Sequence, residues 1–177
     1  MLKRQVVNFI KALGLKNKIG VKFSGAGNKC YRVQFGDVSF YNFLISIGLN
    51  TNKTKTIGKI NIPSRYFFDF LRGHFDGDGT FYSYWDPRWK SSYMFYTEFI
   101  SASQEHIKWL REEIKLYLGV HGHVTKSGNQ ACYQLKYAKT DSLKILDELY
   151  YKKDIIFLKR KHLKITKALA IIGRRIE

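Results

Sequence analysis

The chain has 177 residues, with 31 Lys and Arg against 14 Asp and Glu, which gives a net charge of +17 at neutral pH. Its 45% hydrophobic and 16% aromatic content excludes a disordered chain and suits one domain or two small halves. So basic a chain predicts a polyanionic partner, with nucleic acid first and an anionic membrane second. No apolar run approaches the roughly 20 residues of a membrane span. Two cysteines, Cys30 and Cys132, make no disulfide framework, so we expect an intracellular protein.

The first 63 residues predict a helix, a β-hairpin and a second helix, followed by a linker. Residues 5–15 have apolar side chains at helical spacing, and residues 18–23 and 29–35 predict two strands around a Gly-rich turn. Asp37 is placed to cap a helix that extends to about residue 49. Residues 50–63 are polar, basic and without helical periodicity, which predicts the linker.

From Ser64, a candidate N-cap, an apolar run with helical spacing leads to Gly79. The following pattern predicts strands at 80–85 and 94–101, a helix ended by Gly119 and strands at 121–125 and 131–137. A helix after Asp141 and a basic helix at about 157–172 complete the chain. The predicted class is therefore α+β with antiparallel strands.

The helix that ends near Gly79 has one unusual face. Tyr66, Phe70, Gly73 and Gly77 lie at steps of four, three and four, so they share this face. Glycine at two successive turns removes the side chains that keep helices apart. The pattern predicts a helix that packs closely against another helix.

The same helix ends in two carboxylates, Asp76 and Asp78. A helix C-terminus carries a partial negative charge, so a positive group is expected there, and a divalent metal is the simplest candidate. A solvated Asp-Gly-Asp-Gly turn is the alternative. A calcium loop of the EF-hand type does not fit, because its sixth position would be Phe81 and its twelfth Pro87.

Residues 71–79 resemble the signature nonapeptide of the LAGLIDADG homing endonucleases, which they match at Leu71, Gly73, Asp76, Asp78 and Gly79. The resemblance implies the fold of that family, an αββαββα half-domain with a saddle-shaped antiparallel sheet. It implies that two signature helices pack together at the centre of the molecule. It also implies that Asp78, with the backbone carbonyl of Gly77, binds Mg²⁺ or another divalent cation, while Asp76 is mainly structural.

An internal repeat supports a two-part organisation. Residues 30–35 resemble residues 132–137, 102 positions later, and the predicted elements around both segments have the same order. We therefore expect a partial half-domain without a signature helix at 1–50, a basic linker at 51–63 and a complete half-domain at 64–177. Because no segment before Ser64 resembles the signature helix, we expect a homodimer through these helices.

The function that the resemblance implies is site-specific, divalent-metal-dependent hydrolysis of double-stranded DNA, of the homing type, with no small-molecule substrate. Lys136 matches the family's catalytic lysine on the last strand, although a merely DNA-facing or solvated lysine fits as well. Ala102 stands at the end of the second strand, where many relatives have a polar side chain that positions water. The candidate DNA-binding residues, on the two hairpins, are Tyr82, Tyr84, Arg88, Lys90, Tyr93, Lys126, Asn129, Gln130 and Gln134.

Two other readings remain at this point. A non-cleaving DNA- or RNA-binding protein on the same scaffold, such as an intron splicing factor or a decayed endonuclease, would explain the charge equally well. A zinc site at His121 and His123 lacks enough further ligands nearby.

Overall fold

The computed structural model describes residues 3–126, 128 and 132–176. The helices and strands follow the predicted order, so the α+β class is confirmed. The helices are α1 (Lys3–Leu13), α2 (Val38–Ser46), α3 (Phe67–Asp78), α4 (Gln104–Leu118), α5 (Lys139–Leu149) and α6 (Lys159–Ile171). The strands are β1 (Gly20–Phe23), β2 (Lys29–Arg32), β3 (Thr80–Trp85), β4 (Tyr93–Ser101), β5 (His123–Lys126) and β6 (Tyr133–Tyr137).

Strands β3 to β6 form one antiparallel sheet in the order β3-β4-β6-β5. Alternate side chains of β4, including Phe95 and Phe99, are fully buried in a core shared with α3, α4, α5 and α6. The intervening residues point to the other side of the sheet. We call that side the open face and define it by Tyr82, Tyr96, Glu98, Gln134 and Lys136.

Helix α4 ends at Gly119 as its sequence predicts, and it begins at a side-chain cap. Ser103 is the N-cap, and its hydroxyl accepts a hydrogen bond from the backbone N–H of His106. Gly119 follows the last turn with φ 64°, a left-handed conformation that glycine adopts without steric cost.

The start of α3 differs from the prediction that Ser64 is its N-cap. A 3₁₀ turn at Ser64–Tyr66 comes first, and the backbone N–H of Tyr66 donates to the carbonyl of Pro63 over 2.9 Å. This turn runs directly into α3, and no side chain caps the helix at Tyr66. The 3₁₀ turn thus gives the N–H of Tyr66 a backbone acceptor, in place of a side-chain cap.

The N-terminal part has the order α1-β1-β2-α2, which matches α4-β5-β6-α5 further along the chain. Strands β1 and β2 pair with each other in a separate two-stranded sheet. Asp37 caps α2 as predicted, and its Oδ1 accepts from the N–H of Phe40 over 2.8 Å. Asn8 ties α1 to the C-terminal part by donating to the carbonyl of Phe157 over 3.0 Å.

The predicted linker is packed over its second half. Ile60 is almost fully buried, although the segment was predicted to be a polar, basic linker. The carbonyl of Ile57 accepts from the Ser103 hydroxyl over 2.5 Å, and the carbonyl of Gly58 lies 2.8 Å from His106 Nδ1. Scattered isoleucines in a basic segment gave no periodic signal, and the contacts to the start of α4 are made by backbone carbonyls, which the sequence does not mark. Among the described residues, no helix is long and apolar enough to cross a membrane.

Candidate active site and nucleic-acid interface

The two carboxylates at the end of α3 have different surroundings. Asp76 is partly buried, and its Oδ2 accepts from the backbone N–H of Leu158 over 2.7 Å. Burial raises the pKa of Asp76, and the Leu158 N–H, Lys161 and Arg72 partly offset the effect. Asp78 is exposed, and no hydrogen bond or ion pair to its carboxylate is found within the described part of the chain. Asp78 is therefore the carboxylate that is free to bind an external cation.

The positive group expected at this helix end is Lys161 of α6. Its Nζ donates to the carbonyl of Phe75 and, over 2.5 Å, to that of Gly79. A lysine ammonium in contact with the last carbonyls of a helix is the favourable pairing with its dipole. The electrostatic argument for a positive partner was thus correct, but its conclusion of a metal was not required, because the protein supplies the charge itself.

Arg72 binds α3 to the chain around it from a buried position. Its guanidinium donates to the carbonyls of Leu149 (3.2 Å) and Ile156 (3.0 Å) and to the carboxylate of Asp69 (2.5 Å). Tyr151 also donates to Asp69 over 3.0 Å. Arginine is suited to this role because its planar group has five donors in fixed directions.

The glycine face of α3 is open. Gly73 and Gly77 are exposed, and a Cβ added at either position would meet no atom within 4 Å outside the local helix backbone. Tyr66, at the start of this face, is 49% exposed. The face borders a groove of about 1070 Å³ that extends to α1 and β2, with Asp78 in its wall. The described chain therefore leaves room for another element beside α3. Phe70 was predicted to belong to the same face, but its ring packs against His74 and Trp109.

A second cavity, of about 430 Å³, lies on the other side of Asp78. Lys53 of the linker segment and Ser101 at the end of β4 line it, together with His74 and His106. The ring centroids of the two histidines are 5.2 Å apart, and burial lowers the pKa of both. Lys53 and Asp78 line the same cavity, which no feature of the linker sequence indicated.

The hydroxyls of Ser101, at the end of β4, and of Ser103, just after it, are engaged in local structure. Ser101 Oγ accepts from the N–H of Ser103 over 3.1 Å, and Ser103 Oγ donates to Ile57 as described. Ala102 between them has no polar group. The described residues thus offer few free side chains to position water at this corner.

The centre of the open face carries a row of four residues on four strands. Thr80, Glu98, Lys136 and His123 are aligned across β3, β4, β6 and β5. Lys136 Nζ forms an ion pair with Glu98 Oε1 over 3.1 Å. Thr80 follows Asp78 by two residues, so Lys136 lies two strand spacings, about 10 Å, from the strand that continues α3. The predicted catalytic lysine is therefore on the open face, where it is already paired with Glu98.

Three tyrosines stack beside this row. Tyr96 lies between Tyr82 and Tyr84, at centroid distances of 5.2 and 6.3 Å and interplanar angles of 16° and 7°. Their phenol hydroxyls lie on the open face, and such groups can donate and accept hydrogen bonds with a nucleic acid. Tyr96 was not predicted, although its alternation with Phe95 places it on this face.

The other candidate DNA-binding residues are spread over several positions. Arg88 is at the β3–β4 tip with an 80% exposed side chain, bound to Asp86, and Lys90 is exposed nearby. Gln134 is on the open face, where it accepts from the Thr125 hydroxyl over 3.3 Å. Lys126 pairs in register with Tyr133, on the opposite side of the sheet.

Tyr93 does not lie on the open face. It is buried in the core, and its hydroxyl donates to Ser83 over 2.8 Å. The strand begins one residue earlier than predicted, and Tyr93 alternates with Phe95 toward the core. Asn129 and Gln130 lie outside the described residues.

The residues present allow a divalent metal without enclosing it. The described part of the chain contains no group of three or more His, Cys, Asp or Glu side chains that could hold a metal ion. Mg²⁺ usually keeps several waters and needs only one or two carboxylates. One free carboxylate at Asp78, with the exposed backbone of Gly77 next to it, fits such a site when a second carboxylate or DNA completes it.

No protein-family model matches the chain, and no curated protein matches it significantly. Among solved structures, the chain resembles the homing endonuclease I-WcaI bound to its DNA recognition sequence, with a TM-score of 0.59 and 12% identity over 93% of this chain and 71% of that one. It resembles the meganuclease I-SmaMI bound to uncleavable DNA, with a TM-score of 0.56 and 15% identity over 95% of this chain and 75% of that one.

A third similar structure is the N-terminal LAGLIDADG domain of DUF199/WhiA, with a TM-score of 0.52 and 15% identity over 83% of this chain. The chain covers 66% of that structure, which is slightly less than two thirds. At such identities the similarity concerns the fold. The element order, the antiparallel sheet and these matches together show that the chain has the LAGLIDADG homing-endonuclease fold.

Proposed function

We propose that this protein is a site-specific DNA endonuclease that requires a divalent cation. The observation that carries the proposal is the exposed, unpaired carboxylate of Asp78 at the end of α3, beside an open glycine face. Asp76, two residues earlier, is tied to Leu158, so only one of the two acids is used for structure. A fold under selection for stability alone gains nothing from a free acid at a helix C-terminus.

Double-stranded DNA is the substrate in this proposal. The net charge of +17 favours a polyanion, and the open face carries tyrosine hydroxyls, Gln134 and Lys136. A two-stranded ribbon fits the major groove, where such side chains reach base edges. The similar structures I-WcaI and I-SmaMI are DNA complexes, which supports this choice of partner.

Asp78 and the carbonyl of Gly77 would hold the cation, which we propose is Mg²⁺. When bound, such an ion activates water for attack on the phosphodiester and stabilises the leaving oxygen. Lys136 and Lys53 would place positive charge near the reacting phosphate.

A second signature-type helix would complete the site by packing on Gly73 and Gly77. We propose that α3 of another copy of the chain supplies it, so that two Asp78 carboxylates meet. The net charge of each chain opposes this assembly in free solution, and neutralisation by DNA favours it. The homodimer would therefore form mainly on DNA.

A non-cleaving nucleic-acid-binding protein is the second candidate. Lys161 already neutralises the end of α3, and the Ser101 and Ser103 hydroxyls are held in local hydrogen bonds. These contacts leave few free polar side chains near Asp78 to act in a reaction. A protein of this kind would bind nucleic acid without cutting it.

Incubation with a plasmid pool that contains randomised inserts, with Mg²⁺ or with EDTA, separates the two. The endonuclease predicts linear products with a common sequence at their ends, formed only with Mg²⁺. Tight binding of the same pool with no cutting in Mg²⁺ or Mn²⁺ would contradict the proposal and favour the second candidate.

A further inference from the structure

Glu98 is a carboxylate in the middle of a face that we propose binds a polyanion. Its side chain is 6% exposed, and it lies between Thr80 and Lys136 in the row across the sheet. Burying a charge is unfavourable unless it is paired, and here the partner is the Lys136 ammonium at 3.1 Å. A buried negative charge at this place also weakens the attraction of the face for phosphates. Its presence therefore calls for a role other than DNA affinity.

The surroundings of Glu98 restrict the side chains next to it. The Lys136 side chain is 30% exposed, and its ammonium contacts the Glu98 carboxylate of β4. Tyr82 is the other neighbour of Glu98. Burial together with the nearby Glu98 charge raises the pKa of Tyr82 to about 12. Tyr82 in turn stacks on Tyr96. One carboxylate thus contacts both the candidate catalytic lysine and the first ring of the tyrosine stack.

We propose that Glu98 is a positioning residue, which holds the Lys136 ammonium in place over the open face and does so at a cost in DNA affinity. This inference rests on the proposed function, because it assigns Lys136 to the reaction. A free lysine side chain samples many rotamers, and a misplacement of about 1 Å can slow an enzyme by about 100-fold. The Glu98 carboxylate limits that sampling before DNA arrives.

The proposal predicts that binding and cutting change in opposite directions in Glu98→Gln. Loss of the carboxylate frees Lys136 for a phosphate, so non-target duplex should bind about 3- to 10-fold tighter at 0.1 M salt, with a steeper salt dependence. Cleavage at saturating DNA should become at least about 10-fold slower. A merely structural role would lower both together with thermal stability.

The matched control is Glu105→Gln, which removes the same charge from the exposed surface of α4, away from the open face. Its cleavage should equal that of the original protein. Glu98→Asp is the second variant: it keeps the charge but shortens the reach to Lys136, so it should slow cleavage without a gain in binding. Fluorescence anisotropy with a non-target duplex, single-turnover cleavage and thermal melting give the three readouts.

Labelling of Lys136 separates failure of this inference from failure of the proposed function. With a limiting amount of an amine-reactive ester and mass spectrometry, Lys136 should react several-fold faster in Glu98→Gln than in the Glu105→Gln control. Faster labelling with tighter binding would support the positioning role even if no variant cuts DNA, in which case only the endonuclease proposal fails. Unchanged labelling, or full cleavage by Glu98→Gln, would overturn the inference.

Discussion

Replacing Lys161 by Met tests how the end of α3 is held. The ammonium donates to two terminal carbonyls of the helix and lies near Asp76, so the variant loses two charge-assisted hydrogen bonds and one favourable charge interaction. Hydrogen bonds to charged groups contribute about 1.5–3 kcal/mol each, and they are not additive. We therefore expect Lys161→Met to lower the free energy of unfolding by roughly 2–4 kcal/mol, a large part of the stability of a domain this size.

Urea unfolding at pH 7, followed by far-ultraviolet circular dichroism, measures the change. Lys164→Met is the matched control, since Lys164 is on the same helix but exposed, and it should change stability by less than about 0.5 kcal/mol. The two variants should have equal m-values, which would show that only stability has changed. If Lys161→Met were as stable as Lys164→Met, the assignment of Lys161 as the cap of α3 would be wrong.

Three further predictions follow from the same region. Gly77→Leu should leave the isolated chain as stable as the original protein, or about 0.5–1 kcal/mol more stable by helix propensity, because the new Cβ meets open space. It should nevertheless abolish helix pairing and DNA cleavage. Urea unfolding, sedimentation on DNA and the cleavage assay measure the three effects. Arg72→Met should destabilise the protein by about 3–5 kcal/mol, because the carbonyls of Leu149 and Ile156 lose their donor and Asp69 keeps only Tyr151. Arg111→Met on the exposed surface should be nearly neutral in urea unfolding. Burial, with His106 and Lys161 nearby, lowers the pKa of His74 from 6.5 to about 4. The unfolded chain therefore binds the extra proton first, and stability should fall as the pH drops from 6.5 toward 4. His74→Phe should remove about 2–3 kcal/mol of this fall between pH 7 and pH 4.5, and an unchanged dependence of stability on pH would contradict the prediction.

Local patterns in the sequence were sufficient for the order of elements. Strand β3 begins and ends as predicted, Asp37 caps α2, and Gly119 ends α4 in a left-handed conformation. These features depend on residues within a few positions of one another, where hydrogen bonding and periodicity act directly. The glycine face of α3 belongs to the same class, since its spacing alone predicted a surface for close contact.

Contacts between distant residues were not predictable in this way. Lys161 and Gly79 are separated by 82 positions, and no local sequence pattern distinguishes Lys161 from the other basic residues of α6. Arg72 lies off the glycine face, and nothing in the local sequence indicated that it would bind the carbonyls of Leu149 and Ile156. Glu98 gave no signal either, because its partner Lys136 lies on a strand whose register the sequence does not specify.

The prediction for Tyr93 was wrong because a shift of one residue in a strand moves a side chain to the other face. The expected strand began at Met94, which left Tyr93 just outside it, whereas β4 begins at Tyr93 and carries it into the core. Tyr96 was missed although it has the opposite parity to Phe95. The alternation of β4 about Phe95 puts Tyr93 toward the core and Tyr96 on the open face.

The most direct test of the account is the role of Asp78 in Mg²⁺-dependent cleavage. A target recovered from the randomised pool would be incubated with the original protein, with Asp78→Asn and with Asp154→Asn, which makes the same charge change at an exposed position. We predict that Asp78→Asn binds the target but does not cut it, and that Asp154→Asn cuts normally. Cleavage by Asp78→Asn at the original rate would contradict the assignment of the free carboxylate at the end of α3 as the metal ligand.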